Sequence, residues 1–156
     1  MAAKPIPEGY EHATPYLCVK GASDAIAFYV KAFGAVETMR LTDPGGRIGH
    51  AEIKIGEAPL MLSDEHPEEG VLSPATLGGS PVAMHLYVPD VDAFAARAVA
   101  AGAQLMRPIE DQFYGDRSAV LRDPFGHQWF FATRKEDIDG AEMQRRYEKL
   151  LAQGAG

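Results

Sequence analysis

The residues best equipped for chemistry in this chain begin with a pair that stand two apart, His50 and Glu52. On one face of a strand, an imidazole and a carboxylate at that spacing can jointly hold a metal ion or work as an acid–base pair. The plainer alternative is an ion pair of Glu52 with Lys54 or Arg40, with His50 donating to a backbone carbonyl. His85 is a third imidazole to weigh, although interior histidines more often serve as satisfied hydrogen-bonding groups than as ligands. Arg117, in Tyr114-Gly-Asp-Arg117, carries the planar fork that grips an anionic group bidentately. A loop salt bridge with Asp111 or Asp116 competes with that role. Tyr16, Tyr87, Trp129, Phe130 and Phe131 offer rings to stack on a flat ligand, against the alternative that aromatics beside a hairpin form core. Cys18, with no flanking base or cation, is expected to be a buried, inert thiol.

These side chains need a scaffold, and its period is visible. Thr14 to Val19 alternates as a strand, and Ser23 to Phe33 repeats apolar residues at helical spacing (Ile26, Tyr29, Val30, Phe33) before the stop at Gly34. Val36 to Leu41, Gly49 to Ile55 and Pro59 to Leu62 read as three more strands. After residues 65–80, rich in proline, glycine and acids and read as a linker, the order starts again. Met84 to Val88 is a strand, Asp90 caps a helix that ends at Gly102, and Gln104 to Pro108 is a strand followed by an acidic loop. Asp123-Pro-Phe-Gly126 then turns between two β-prone runs as a closing hairpin. Val19 and Val88 lie 69 positions apart, Gly34 and Gly102 68, Gly56 and Gly126 70. A constant offset across strand end, helix stop and hairpin turn indicates an internal repeat.

The fold expected is therefore α+β: two tandem βαβββ modules, curved mixed sheets around a cleft, plus a C-terminal helix. The boundaries are an arm at 1–12, modules at 13–64 and 81–135, the linker at 65–80, and a helix and tail at 136–156. One helix covers one face of a four-stranded sheet, so each module should keep an open face. Parity places His50, Glu52 and Lys54 on the first open face, with Thr14, Tyr16 and Cys18. Ala83, His85 and Tyr87 belong to the second. In the last strand either Gln128 and Phe130 or His127, Trp129 and Phe131 point the same way, since both sets are apolar enough to be core.

Composition narrows the function classes. The chain has 156 residues, 46% of them hydrophobic and 24% charged, without an apolar run of membrane-spanning length or an apolar leader. One cysteine excludes an internal disulfide and a cysteine-cluster metal site, which fits a reducing cytoplasm. A net charge of −7, with no run of five basic residues, weighs against nucleic acid or an anionic membrane as partner.

Two βαβββ modules with Ala27-Phe-Tyr29, Val88-Pro-Asp-Val-Asp92 and Asp123-Pro-Phe-Gly-His127 resemble the vicinal oxygen chelate superfamily, over about residues 13–133. That group holds glyoxalase I, bleomycin and fosfomycin resistance proteins and extradiol dioxygenases. Thr14-Pro-Tyr-Leu, Gly49-His-Ala-Glu52, Met61-Leu-Ser-Asp64 and Gln112-Phe-Tyr-Gly-Asp-Arg117 are similar to its uncharacterised subgroup associated with phosphonate-utilisation operons. The resemblance implies a homodimer and, in the enzymes, a divalent metal held from the first and last strands of each module. Those positions fall here on Thr14, Ala83, Met61 and Phe130, none a competent ligand. The expectation is a metal-free small-molecule binder with no cofactor. Tyr16, His85, Tyr87, Arg117, Trp129, Phe130 and Met61 would line its cleft, and His50 and Glu52 would be the catalytic candidates. Its alternatives are a lyase, isomerase or dioxygenase using a displaced His50/Glu52/His85 metal site, a metal-free acid–base enzyme, and a protein-interaction module.

Overall fold

The computed structural model describes residues 2–154; Met1 of the expected arm and the last two residues of the expected tail lie outside them. The first module runs β1 (Tyr16–Val19), α1 (Ala22–Phe33), β2 (Val36–Thr42), β3 (Ile48–Ile55) and β4 (Ala58–Asp64). Its strands lie in the order β1-β4-β3-β2, with β1 parallel to β4 and the other pairs antiparallel. A 3-10 turn (Pro67–Glu69) and a short helix α2 (Pro74–Leu77) occupy the segment between the modules.

The second module repeats the plan: β5 (Ala83–Tyr87), α3 (Val91–Ala101), β6 (Gln104–Leu105), β7 (Glu110–Asp111), β8 (Asp116–Arg122) and β9 (Gln128–Arg134). Its sheet is ordered β5-β9-β8-β6, and β7 also pairs with β8. The strand expected over Gln104 to Pro108 is therefore cut short at Leu105. Pro108, which has no N–H to give to a ladder, lies in the gap, and the start of the expected acidic loop forms β7 instead. Helix α4 (Gly140–Gly154) closes the chain, its first turn held by Asp139, whose carboxylate accepts from the Glu142 N–H at 2.8 Å.

Both module helices bury the same kind of face. Along α1, Ala22, Ala25, Ile26, Tyr29, Ala32 and Phe33 are buried, and Gly34 ends the helix in the left-handed conformation (φ 68°). α1 also packs against α3, and its aromatics reach the other module: Phe33 lies 5.8 Å from Phe94 and 4.9 Å from Trp129, ring centre to ring centre. Buried side chains of both sheets thus join one core.

The closing hairpin locks that core. The Asp123 carboxylate accepts from the N–H groups of Phe125 and His127 (2.9 Å each), from Trp129 Nε1 (2.9 Å) and from the Tyr29 hydroxyl (2.6 Å). Four donors compensate a carboxylate that is only 4% exposed. Burial, then the Asp123 charge, pushes the Tyr29 phenol well above its ordinary pKa, so it stays a donor. His127 adds a tie to the first module, its Nε2 lying 2.9 Å from the Cys18 carbonyl oxygen. Gly126 has no substitute at the tip: φ is +93°, and a Cβ there would stand 2.8 Å from Pro74.

Candidate functional site

Register fixes what each sheet shows on the side away from the helices. Tyr16 pairs with Met61 and Met61 with Glu52, so the three stand in one row across β1, β4 and β3. Met39, paired with Glu52, continues the row on β2, and Leu41 stands beside His50. Alternation along β3 sends Ala51, Ile53 and Ile55 into the core and leaves His50, Glu52 and Lys54 half-buried on the open face.

His50 and Glu52 do come together there, inside a four-residue chain of hydrogen bonds. His50 Nε2 is 3.1 Å from Glu52 Oε1, and His50 Nδ1 is 2.7 Å from the Tyr16 hydroxyl. An ionised carboxylate only accepts, so Nε2 carries a proton; when the ring is neutral, its bare Nδ1 accepts from the Tyr16 hydroxyl. The other carboxylate oxygen of Glu52 accepts from the Tyr10 hydroxyl. Bonds from Tyr10 and then His50 hold the Glu52 carboxyl below the usual range, and the same contact raises the Tyr10 phenol. Tyr10 went unnoticed in the sequence because it lies 42 residues from Glu52 in an arm without periodicity. The arm is accordingly tied down at Tyr10. Gly9 and the residues from Glu11 to Pro15 also line a cavity of about 670 Å³ with Ala58, Pro59 and Leu60 of β4 and with Ala83 and His85 of β5.

The second open face is differently furnished. His85 pairs with Phe130, their rings nearly parallel with centres 6.4 Å apart, and Tyr87 stands beside His85 at 5.1 Å. The Tyr87 hydroxyl donates to Asp116 at 2.7 Å, which raises the Tyr87 phenol pKa. His85 does not join His50 and Glu52: among the described residues, no three His, Cys, Asp or Glu side chains are grouped to hold a metal. Nor do the positions where the superfamily's enzymes keep their ligands fit one. Thr14, Met61, Ala83 and Phe130 offer a hydroxyl, a thioether, a methyl and a ring, and no set of hard or borderline donors.

Two expected site residues are elsewhere. Trp129 was expected to offer surface to a ligand; it is 0% exposed, on the helix side of β9, with its N–H spent on Asp123. The open question of parity resolves as Gln128 and Phe130 outward, because the larger, stiffer pair Trp129 and Phe131 fills the space beneath α1 and α3. Arg117 was expected either to hold an anionic ligand or to form a loop salt bridge with Asp111 or Asp116. Its guanidinium grips Asp92, in the first turn of α3, through Nε (2.7 Å) and Nη2 (3.0 Å), and Asp111 through Nη1 (3.2 Å). It braces a helix start. Cys18 is half-buried rather than buried, and burial with the nearby Glu65 and Asp64 charges pushes its thiol up to about 11, so it stays protonated at neutral pH.

Comparison with known proteins agrees with this architecture. A family model described as the Glyoxalase/Bleomycin resistance protein/Dioxygenase superfamily matches residues 9–131. An uncharacterised protein of Mycobacterium bovis is 43% identical over 146 residues, 92% of this chain and 94% of its own length. Another, from Arabidopsis thaliana, is 30% identical over 122 residues, 74% of this chain and 73% of that one. Among solved structures, TioX from Micromonospora superimposes with a TM-score of 0.63 at 26% identity, covering 83% of this chain and 100% of that one. The fosfomycin resistance protein FosX from Listeria monocytogenes, at 16% identity and a TM-score of 0.60, covers 85% of this chain and 96% of its own, a likeness of fold alone.

Proposed function

The chain belongs to the glyoxalase/bleomycin resistance protein/dioxygenase superfamily, and within it we propose a small-molecule binding protein that works without the superfamily's metal. One observation carries this reading: the Tyr10–Glu52–His50–Tyr16 chain of hydrogen bonds stands on a sheet face beside the exposed apolar side chains of Met39 and Leu41. A few fixed polar groups over an apolar bed are what orient and hold a small ligand. The polar end is rich in acceptors, since Glu52 stays ionised and Tyr16 spends its proton on His50. A neutral or cationic ligand with N–H or O–H donors suits it. Tyr16, Leu41 and Val36 are also exposed on this sheet (52%, 58% and 62%), and a second copy of the chain covering them would complete the cleft. Homodimerisation is part of the proposal; light scattering reporting a monomer at micromolar concentration would remove it. No described helix is long and apolar enough to cross a membrane, and a cytoplasmic setting is proposed on the strength of the single cysteine.

The same geometry supports a second reading, a metal-free acid–base enzyme. Glu52 backs one nitrogen of His50 while the other faces a hydroxyl, the arrangement that lets an imidazole take a proton. His50 would be the base, because the depressed Glu52 carboxyl is a weak one at neutral pH. The binding reading leads because it asks nothing of the site beyond the contacts already made.

The test is a small-molecule screen by thermal shift on wild type, Glu52→Gln and His50→Ala. The proposal expects ligands that raise the wild-type midpoint and lose most of that effect in both variants. Hits that stabilise all three proteins equally would overturn this site. Hits that wild type consumes and His50→Ala only binds would move the reading to the enzyme.

A further inference from the structure

A cavity of about 860 Å³ lies away from the first sheet. It sits over the far end of the second, walled by Tyr87, Phe113 and Tyr114, with Met143 of α4 on one side and Asp116 in the floor. Its volume lies in the range of sites for drug-sized ligands. The walls are mostly aromatic and apolar, with Thr133 and Arg134 also contributing, and the one acidic group is deep: Asp116 is 5% exposed. Among the described residues no Lys, Arg or His forms an ion pair with it, and the Tyr87 hydroxyl is the side-chain donor on its Oδ2. Arg134, its partner in the β8–β9 register, also lines the cavity, but its guanidinium is engaged elsewhere, with Nη2 2.7 Å from Asp137 and Nε toward the Glu136 carbonyl oxygen.

A carboxylate taken out of water without a cation is costly, and one hydroxyl offsets only part of that cost. Aromatic faces around an acid attract one kind of guest in particular, an organic cation, which gains from the ring quadrupoles and from the charge beneath. We propose that this cavity is a second binding site, distinct from the Tyr16/His50/Glu52 face, for an organic ammonium ion carrying an apolar body. The ammonium sits against Asp116, and the body lies among Tyr87, Phe113, Tyr114 and Met143. The proposal does not depend on the first site binding anything.

The probe is phenethylammonium, titrated into the full chain by isothermal calorimetry and by amide NMR, beside its neutral isostere 2-phenylethanol and the anion phenylacetate. The cation is expected to bind at least about tenfold more tightly than either control, with shifts centred on Tyr87, Tyr114 and Asp116. Asp116→Asn should weaken it by about tenfold or more, and Glu52→Gln should leave it unchanged. Should Asp116→Asn fail to fold, Met143→Trp, on the exposed helix, fills the cavity without touching the acid and should also abolish binding. No binding of the cation at millimolar concentration overturns the proposal. So does equal affinity for 2-phenylethanol, or binding lost in Glu52→Gln and kept in Met143→Trp.

Discussion

The two modules are the same construction with opposite surfaces. Register makes their positions correspond: the Tyr16–Met61 pair of β1 and β4 matches the His85–Phe130 pair of β5 and β9, and Glu52 opposite Met61 matches Val120 opposite Phe130. On the helix side the two lists nearly coincide. Leu17 answers to Leu86, Val19 to Val88, Ala51 to Ala119 and Ile53 to Leu121, with Leu60 and Leu62 enlarged to Trp129 and Phe131. On the open side they diverge: Tyr16, His50 and Glu52 in the first module stand where His85, Ser118 and Val120 stand in the second. Burial under a helix leaves few acceptable residues, because a polar group there must find a partner. Away from the helices the same positions carry a hydrogen-bonded relay in one copy and His85, Ser118 and Val120 in the other.

The comparison breaks most sharply between neighbours on β9. Trp129→Ala should cost about 3–5 kcal/mol, as a cavity opens in the core and Asp123 loses a donor. Phe130→Ala, one residue on but facing out, should cost under about 2 kcal/mol. Urea denaturation of both variants reads the difference; equal losses would contradict this division of faces, and a larger loss for Phe130→Ala would mean that β9 has its faces reversed. Exchanging the divergent residues comes next. Val120→Glu places a carboxylate with no cation at a position 5% exposed and should cost about 3 kcal/mol or more. Glu52→Val, on the wetter face, should change stability by about 1 kcal/mol or less, again by urea titration. Tyr29→Phe is smaller than the core truncation but informative: loss of the hydroxyl on Asp123 should cost about 1–3 kcal/mol and so couple α1 to the hairpin of the other module.

The smallest effect is a pH dependence in the segment that joins the modules. Hydrogen bonds from the Thr76 hydroxyl and from the Ser73 N–H and hydroxyl lower the Glu65 carboxyl to about 2. A depressed carboxyl stabilises the fold above its unfolded pKa, and that contribution is lost as pH falls from about 4.5 toward 2. Melting temperatures from pH 6 to pH 2 should therefore fall less steeply in Glu65→Gln than in wild type. Parallel curves would show that Glu65 contributes no such term.

The helix sides were legible in the sequence because burial repeats a pattern: alternation in β1 and β3, helical spacing in α1, and an offset of 68 to 70 residues between the copies. The pairing of His50 with Glu52 followed from strand parity alone. Elsewhere pattern gave out for identifiable reasons. Trp129 and Phe130 are both aromatic, so hydrophobicity could not orient β9; only the volume beneath the helices does. Arg117 finds Asp92 at a separation of 25 residues and Tyr10 finds Glu52 at 42, pairings made by the fold and absent from any local spacing. The deep carboxylate of Asp116 was invisible for the same reason, since Tyr87 and the wall at Met143 reach it only after the sheet and α4 have formed.

The central claim, a ligand site on the first open face that operates without a metal, is tested most directly by elemental mass spectrometry. Protein purified without a histidine tag or chelator, wild type beside His50→Ala, is loaded with zinc, nickel, iron or manganese and then desalted. The account predicts well under one equivalent of any of these metals in both proteins, because Thr14, Met61, Ala83 and Phe130 supply no ligand set. About one equivalent in wild type, lost in His50→Ala, would contradict it and make the hydrogen-bonded chain on the first sheet a metal centre.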